Sequence, residues 1–103
     1  MKRKHTEIEI LEIEQYPFAI AARFRVDGRE LATIVHRNAA DEVIFGGLYY
    51  PVRDPSQEYA VERLLPRGGP AERRAKQALL AELLAQDITI PTLVGVERPV
   101  HVH

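Results

Sequence analysis

The first third of the chain alternates between apolar and polar residues. Glu7-Ile8-Glu9-Ile10 leads into Leu11-Glu12-Ile13-Glu14, where the alternation resumes one place out of phase. A period of two is the strand period, and a slip of one residue is what a β-bulge near Ile10-Leu11 produces. Glu and Leu also suit a helix, but the β-branched Ile residues favour the strand. Beyond Tyr16-Pro17, the segment Phe18 to Val26 sets Phe18, Ile20, Ala22, Phe24 and Val26 on one face. Ala19, Ala21, Arg23 and Arg25 fall on the other. Arg29 to His36 alternates again, and the Asp27-Gly28 pair between the runs suits a two-residue type I′ turn, whose central residues both need positive φ. That turn pairs Val26 with Arg29, Arg25 with Glu30, Phe24 with Leu31, Ala22 with Thr33 and Ile20 with Val35. Apolar residues then oppose apolar ones, and a slip of one place would put Arg25 among the phenylalanines.

The rest of the chain is less regular. Asn38 can cap a short helix at Ala39 to Val43, with Asp41 in the reciprocal position and Gly46-Gly47 ending it. Leu48 to Val52 reads as extended, and Pro51 pushes that piece toward an edge or an end. Asp54-Pro55 is a helix-start pair, which predicts a helix over about 55–65, stopped by Pro66-Arg67-Gly68-Gly69. Pro70 opens a longer helix to about Gln86, with Ala71, Ala75, Ala78, Leu79 and Leu83 at helical spacing. Glu72 and Lys76 stand four apart in the favourable order. After Asp87 the residues turn β-like again, through Ile88-Thr89-Ile90 to Val100 and Val102.

Strands first and helices later predict a single α+β domain over residues 1–103. Its sheet is expected to be mainly antiparallel, from strands at about 5–15, 18–26 and 29–36 plus one or two at about 88–102. Two helices, at about 55–65 and 70–86, are expected to cover it.

Composition narrows the function classes. At 103 residues and 46% hydrophobic, the chain can build one modest core and is too apolar to be disordered. A formal net charge of −1 argues against a wholly basic nucleic-acid surface and equally against an acidic DNA mimic. Cysteine is absent, which removes disulfides, thiolate metal sites and a cysteine nucleophile. No apolar run is long enough for a bilayer. The basic start Met1-Lys2-Arg3-Lys4 leads into Glu-rich alternation and not into a signal-peptide core, so a cytoplasmic protein without membrane contact is expected.

Candidate chemistry is sparse. The single serine, Ser56, has no histidine or Gly-rich elbow near it in sequence, so nucleophilic hydrolysis is not expected. His101 and His103 share a face of any strand they form, and His36 could join them in a metal or ligand site. Their spacing matches no established ligand pattern, and no metal or cofactor is assigned. The carboxylates Glu7, Glu9, Glu12, Glu14, Asp41 and Glu42 read as a solvated face. Arg67-Gly68-Gly69 leads into a helix start that carries Arg73 and Arg74, where free N–H groups and three guanidiniums favour an anion or a nucleic-acid backbone. Glu72 lies in the same turn and can satisfy that helix end internally. Tyr49, Tyr50 and Arg53 form the alternative working surface, since tyrosine and arginine anchor interfaces.

These residues predict a small non-enzymatic module acting by protein–protein contact, with another protein or with a second copy of itself. A nucleic-acid or phosphate binder using residues 67–74 is the second reading. A small enzyme or ligand binder using His36, His101 and His103 is the third.

Overall fold

The computed structural model describes residues 6–53, 55–56 and 61–93. Six strands form one antiparallel sheet: β1 (Ile8–Gln15), β2 (Ile20–Val26), β3 (Arg29–Arg37), β4 (Val43–Phe45), β5 (Tyr49–Val52) and β6 (Val61–Leu64). The order is β1-β2-β3-β5-β6, with β4 also paired to β3. One helix, α1 (Pro70–Ala85), follows. No helix among the described residues is long and apolar enough to cross a membrane.

The hairpin of β2 and β3 has the register that the alternation dictates, from Val26 opposite Arg29 to Ile20 opposite Val35. Asp27 and Gly28 take φ of 50° and 85°, as a type I′ turn requires. The ion pairs differ from that register: Glu30 is bonded diagonally by Arg23 at 3.0 Å, and Arg25 reaches Glu9, directly opposite it on β1, at 2.8 Å. Phe18, assigned by its phase to the apolar face, instead lies before β2, half exposed and stacked on Tyr16 at 6.2 Å. The chain is still turning there, held by the Tyr16 N–H donating to the Ala19 carbonyl at 2.8 Å.

Two irregularities set which residues face which way. In β1 the register slips between Ile10 and Glu12, so Leu11 is the extra residue. The slip keeps Ile8, Ile10 and Ile13 against the core and Glu9, Glu12 and Glu14 on the opposite face. The second lies between β4 and β5. From the pair Val35–Phe45 to the pair Ala32–Tyr49, β3 advances three residues and the facing chain four. The extra residue is absorbed at Gly46-Gly47-Leu48, which turns Leu48 into the core as Phe45 was before it.

Three expectations about secondary structure are corrected. The first concerns the fold class: one helix, not two, covers the sheet. Val61–Leu64, predicted as the end of a helix over 55–65, is strand β6, with Val61 opposite Val52 and Leu64 opposite Tyr49. Pro55 and Ser56 lie in a turn, and the remaining residues of that predicted helix before Val61 lie outside the described residues. Pairing overrides local propensity here because β5 needs a ladder partner, and the strand delivers Leu65 to the core at 3% exposure. Second, residues 39–42 form a hairpin loop and not a helix. Asn38 Oδ1 accepts from the N–H groups of Ala40 and Glu42, both at 2.9 Å, and Asp41 takes φ 68°. The Asn38 side chain accepts backbone N–H groups, but it closes a turn and caps no helix. Third, Ile88 to Leu93 is not a strand. It makes one parallel bridge, Thr92 to Arg37, after Pro91 has removed a ladder donor. The rest of the expected C-terminal strand lies outside the described residues.

Helix α1 packs Ala75, Leu79 and Leu83 against Ile20, Phe24, Val35 and Leu48. Six side chains in this layer, Phe24, Ile20, Leu48, Leu79, Leu83 and Val35, are fully enclosed. The helix stops in a Schellman arrangement, with Ile88 N–H donating to Leu83 O at 2.9 Å and Asp87 N–H to Leu84 O at 3.1 Å. Asp87 fills the left-handed position at φ 60°, where glycine is more usual.

Candidate functional site

A strand sends successive side chains to opposite faces. With α1 on one face, every second residue of the sheet is left on the other. Across the centre of that open face runs a row of facing residues: Glu12, Arg23, Ala32, Tyr49 and Leu64. Beside it run Glu14, Ala21 and Ile34, and the Gly46 N–H donates to the Ile34 carbonyl at 2.7 Å. A third row pairs His36 with Ile44.

These rows build a shallow depression of about 480 Å³. Its floor is made of small residues, Ala21, Ala32, Gly46 and Gly47, and its walls include Ile34, Tyr49, Glu12, Glu14 and Glu62. The glycines have different reasons to be small. A Cβ on Gly47 would come within 2.5 Å of Leu64 Cδ1 and 3.1 Å of Tyr49 Cε1, so those two side chains already occupy its space. A Cβ on Gly46 would meet ordinary contacts only, the nearest being Ile34 O at 3.5 Å, so that space belongs to the depression.

The apolar part of the face is uncovered. Ile34 is 53% exposed, Leu64 44%, Tyr49 39% and Ile44 38%. Singly, such residues need no explanation; here they lie on adjacent strands and are rimmed by charge. The rim is unbalanced. Glu9, Glu12, Glu14, Glu30 and Glu62 stand against Arg23 and Arg25. Both arginines are engaged, Arg25 with Glu9 at 2.8 Å and Arg23 with Glu30 at 3.0 Å and Glu62 at 3.9 Å. Glu12 and Glu14 stand at the far border, where Glu14 accepts a 3.1 Å bond from the Tyr16 hydroxyl. That bond and the carboxylate's charge raise the Tyr16 pKa above its ordinary value.

The residues singled out in the sequence are distributed differently. Tyr49 is on the open face, whereas its neighbour Tyr50 points to the covered side, where the Arg29 guanidinium lies 4.6 Å from its ring centroid. Arg53 is exposed just past β5. Consecutive strand residues cannot form one platform, so the three do not converge. Arg67, Gly68 and Gly69 immediately precede α1, and Arg73 and Arg74 stand near its start. There the Glu72 carboxylate, 5% exposed, accepts the Gly68 N–H at 2.7 Å and lies 3.4 Å from Lys76 Nζ. The Gly68 bond above all, with help from Lys76 and Arg67, holds its pKa below the ordinary glutamate range although burial opposes this. The place an external anion would take at Gly68 is thus filled by the chain itself. Arg74 bonds Asp27 at 2.7 Å, tying the helix to the β2–β3 turn. Between that turn and the helix start is a smaller cleft of about 340 Å³, over Val26, Leu31 and Leu65.

His36 is half-buried at the end of the open face; His5, His101 and His103 lie outside the described residues. Among the described residues no group of three or more His, Asp or Glu is placed to hold a metal ion.

The sequence reading named Tyr49 and missed its surroundings. The signal was present in the polar phase of the hairpin. Ala21, Ala32 and Ile34 occupy positions that a solvent-facing layer fills with charged and polar side chains. Compared with protein-family models, curated proteins and solved structures, the chain matches none.

Proposed function

We propose that this protein is a binding module that works by protein–protein contact through the open face of its sheet. The observation that carries the reading is the exposed cluster of Ile34, Ile44, Tyr49 and Leu64 beside a small-residue depression, all on the face α1 leaves bare. A sheet buries each face against another layer, and the described residues bring one layer for two faces. Tyrosine and aliphatic anchors over a pocket, surrounded by a polar rim, are the anatomy of an interface centre. The partner is a different protein and not a second copy. Two copies stacked on this face would oppose carboxylates with carboxylates, because both arginines are already paired within the chain.

The test is selection of binding peptides from a random library, repeated on the variants Ile34→Ala and Tyr49→Ala. Both variants are expected to melt with the parent protein, since exposed positions contribute within about 0.5 kcal/mol. Selected binders are expected to lose at least tenfold in affinity, the size of a modest hot spot at about 1.4 kcal/mol. Binders indifferent to both substitutions would remove the open face from the function. Light scattering at high micromolar concentration is expected to give the monomer mass, and a dimer broken by Ile34→Lys would assign the face to self-association instead.

A further inference from the structure

We propose that the occupant of the open face is a basic amphipathic helix of the partner protein. Its apolar stripe would rest on Ile34, Ile44 and Tyr49, and its cationic side chains would reach Glu12 and Glu14. This rests on the protein-contact reading above and supplies the chemistry of the partner.

Charge gives the sign. The border at β1 presents Glu9, Glu12 and Glu14 along one strand. Of these, Glu9 is bonded to Arg25, while Glu12 and Glu14 line the depression and form no ion pair among the described residues. On the far side Glu62 is 3.9 Å from Arg23, which Glu30 also holds. A surface with surplus carboxylates favours Lys and Arg and disfavours phosphate backbones and anionic headgroups alike.

Backbone bonding gives the shape. An extended segment gains most by pairing with a strand edge, because there its own N–H and C=O groups find partners. On the face of a sheet those groups are already used in the ladder, and an extended visitor would bury its own unpaired. A helix satisfies its backbone internally and can lie on a face that offers side chains only. The chain uses the same solution on its other side, where α1 lays Ala75, Leu79 and Leu83 on the sheet.

Dimensions agree. From β1 to the β4–β5 strand is three strand spacings, about 14 Å. A helix with its side chains is about 10–12 Å across, so one lying along β2 and β3 touches both borders. The floor beneath it is Ala21, Ala32 and Gly46, which lets the visitor approach closely.

The experiment uses the full chain and two synthetic helical peptides of about 18 residues, long enough to hold helix when bound. Both carry leucine along one face; one has lysine on the flanks and the other glutamate. Fluorescence anisotropy is read at roughly 25 and 300 mM salt. The lysine peptide is expected to bind about tenfold tighter at low salt, with the gap closing at high salt. The double variant Glu12→Gln/Glu14→Gln is expected to lose roughly three- to tenfold for the lysine peptide alone, as two exposed ion pairs predict. Glu82→Gln, on α1, is expected to change nothing. Equal binding of the two peptides, no loss in the double variant, or no binding of the lysine peptide at about millimolar concentration overturns the proposal. If binding is indifferent to charge yet weakened by Ile34→Ala and Tyr49→Ala, the basic-helix inference fails and the protein-contact reading stands. Insensitivity to those two variants as well sinks both.

Discussion

The two faces of the sheet are made by the same strands, one residue out of step. Val35 is wholly enclosed and its neighbour Ile34 is 53% exposed. Phe24 is enclosed, while Arg23 and Arg25 on either side of it carry the ion pairs of the open face. What separates the faces is not the hydrophobicity of a residue but whether the chain supplies a layer to cover it. Along β2 the difference is written in the sequence, since charged residues mark the uncovered side. Along β3 and β5 it is not, because Ala32, Ile34 and Tyr49 are apolar or aromatic on a face that nothing in the described structure covers.

The sharpest way to break this comparison is to cut the same kind of contact on each side. Phe24→Ala empties the centre of the covered layer and is expected to cost about 3–5 kcal/mol in urea denaturation. A domain of this size has only about 5–15 kcal/mol in total, so the variant should be marginal at room temperature. Ile34→Ala, on the bare side, should leave the midpoint almost unmoved. Comparable losses at both positions would mean that both faces are packed and that the open surface is not one.

A smaller effect concerns the helix that makes the difference between the faces. Glu72 holds the start of α1 by accepting the Gly68 N–H, so its folded pKa lies below that of the unfolded chain. A group shifted in this direction adds stability that is present above the unfolded pKa, about 4.3, and is lost as pH falls through the folded value. Glu72→Gln should therefore cost about 1–2 kcal/mol at neutral pH, the scale of a hydrogen bond to a charged acceptor. The gap between the two proteins should narrow as pH falls below the ordinary glutamate range and close once the folded carboxylate is protonated. Melting curves at several pH values check this, and a gap that persists in acid would place the contribution of Glu72 in packing and not in its charge.

How much of this was legible in the sequence follows from which interactions are local. The β2–β3 hairpin was readable because its turn chemistry, alternation and register all sit within residues 20–35 and agree. The bulge in β1 was readable because the phase slip at Leu11 is local as well. Helix α1 was readable from its spacing and from Pro70. Apart from the extended piece at Leu48 to Val52, which is strand β5, the segment from Asn38 to Leu65 was not, for a common reason. Asn38 and Asp54-Pro55 are acceptable helix starts in isolation, and only the need of β3 and β5 for partners turns residues 43–45 and 61–64 into strands. The candidate site shares that blindness. Its floor and walls come from Ala21, Ala32, Ile34, Gly46 and Tyr49, which are brought side by side by a pairing that no single stretch encodes.

The smallest expected effect falls between the two faces. Thr33 sits on β3 between Ala32 and Ile34, which belong to the open side, and its own side chain turns into the covered layer. It is 5% exposed, and its hydroxyl Oγ1 has no hydrogen-bond partner among the described residues. A buried hydroxyl that has given up water for nothing is a cost to the fold. Thr33→Val keeps the shape and removes the polar atom, so it should stabilise the protein by about 0.5–1 kcal/mol, seen as a higher denaturation midpoint with an unchanged slope. Because only the covered side changes, affinity for any peptide held by Ile34 and Tyr49 should stay as it was. A variant that gained stability and also lost binding would show that the two faces communicate through β3, and the open side could no longer be treated as a surface laid over an independent core.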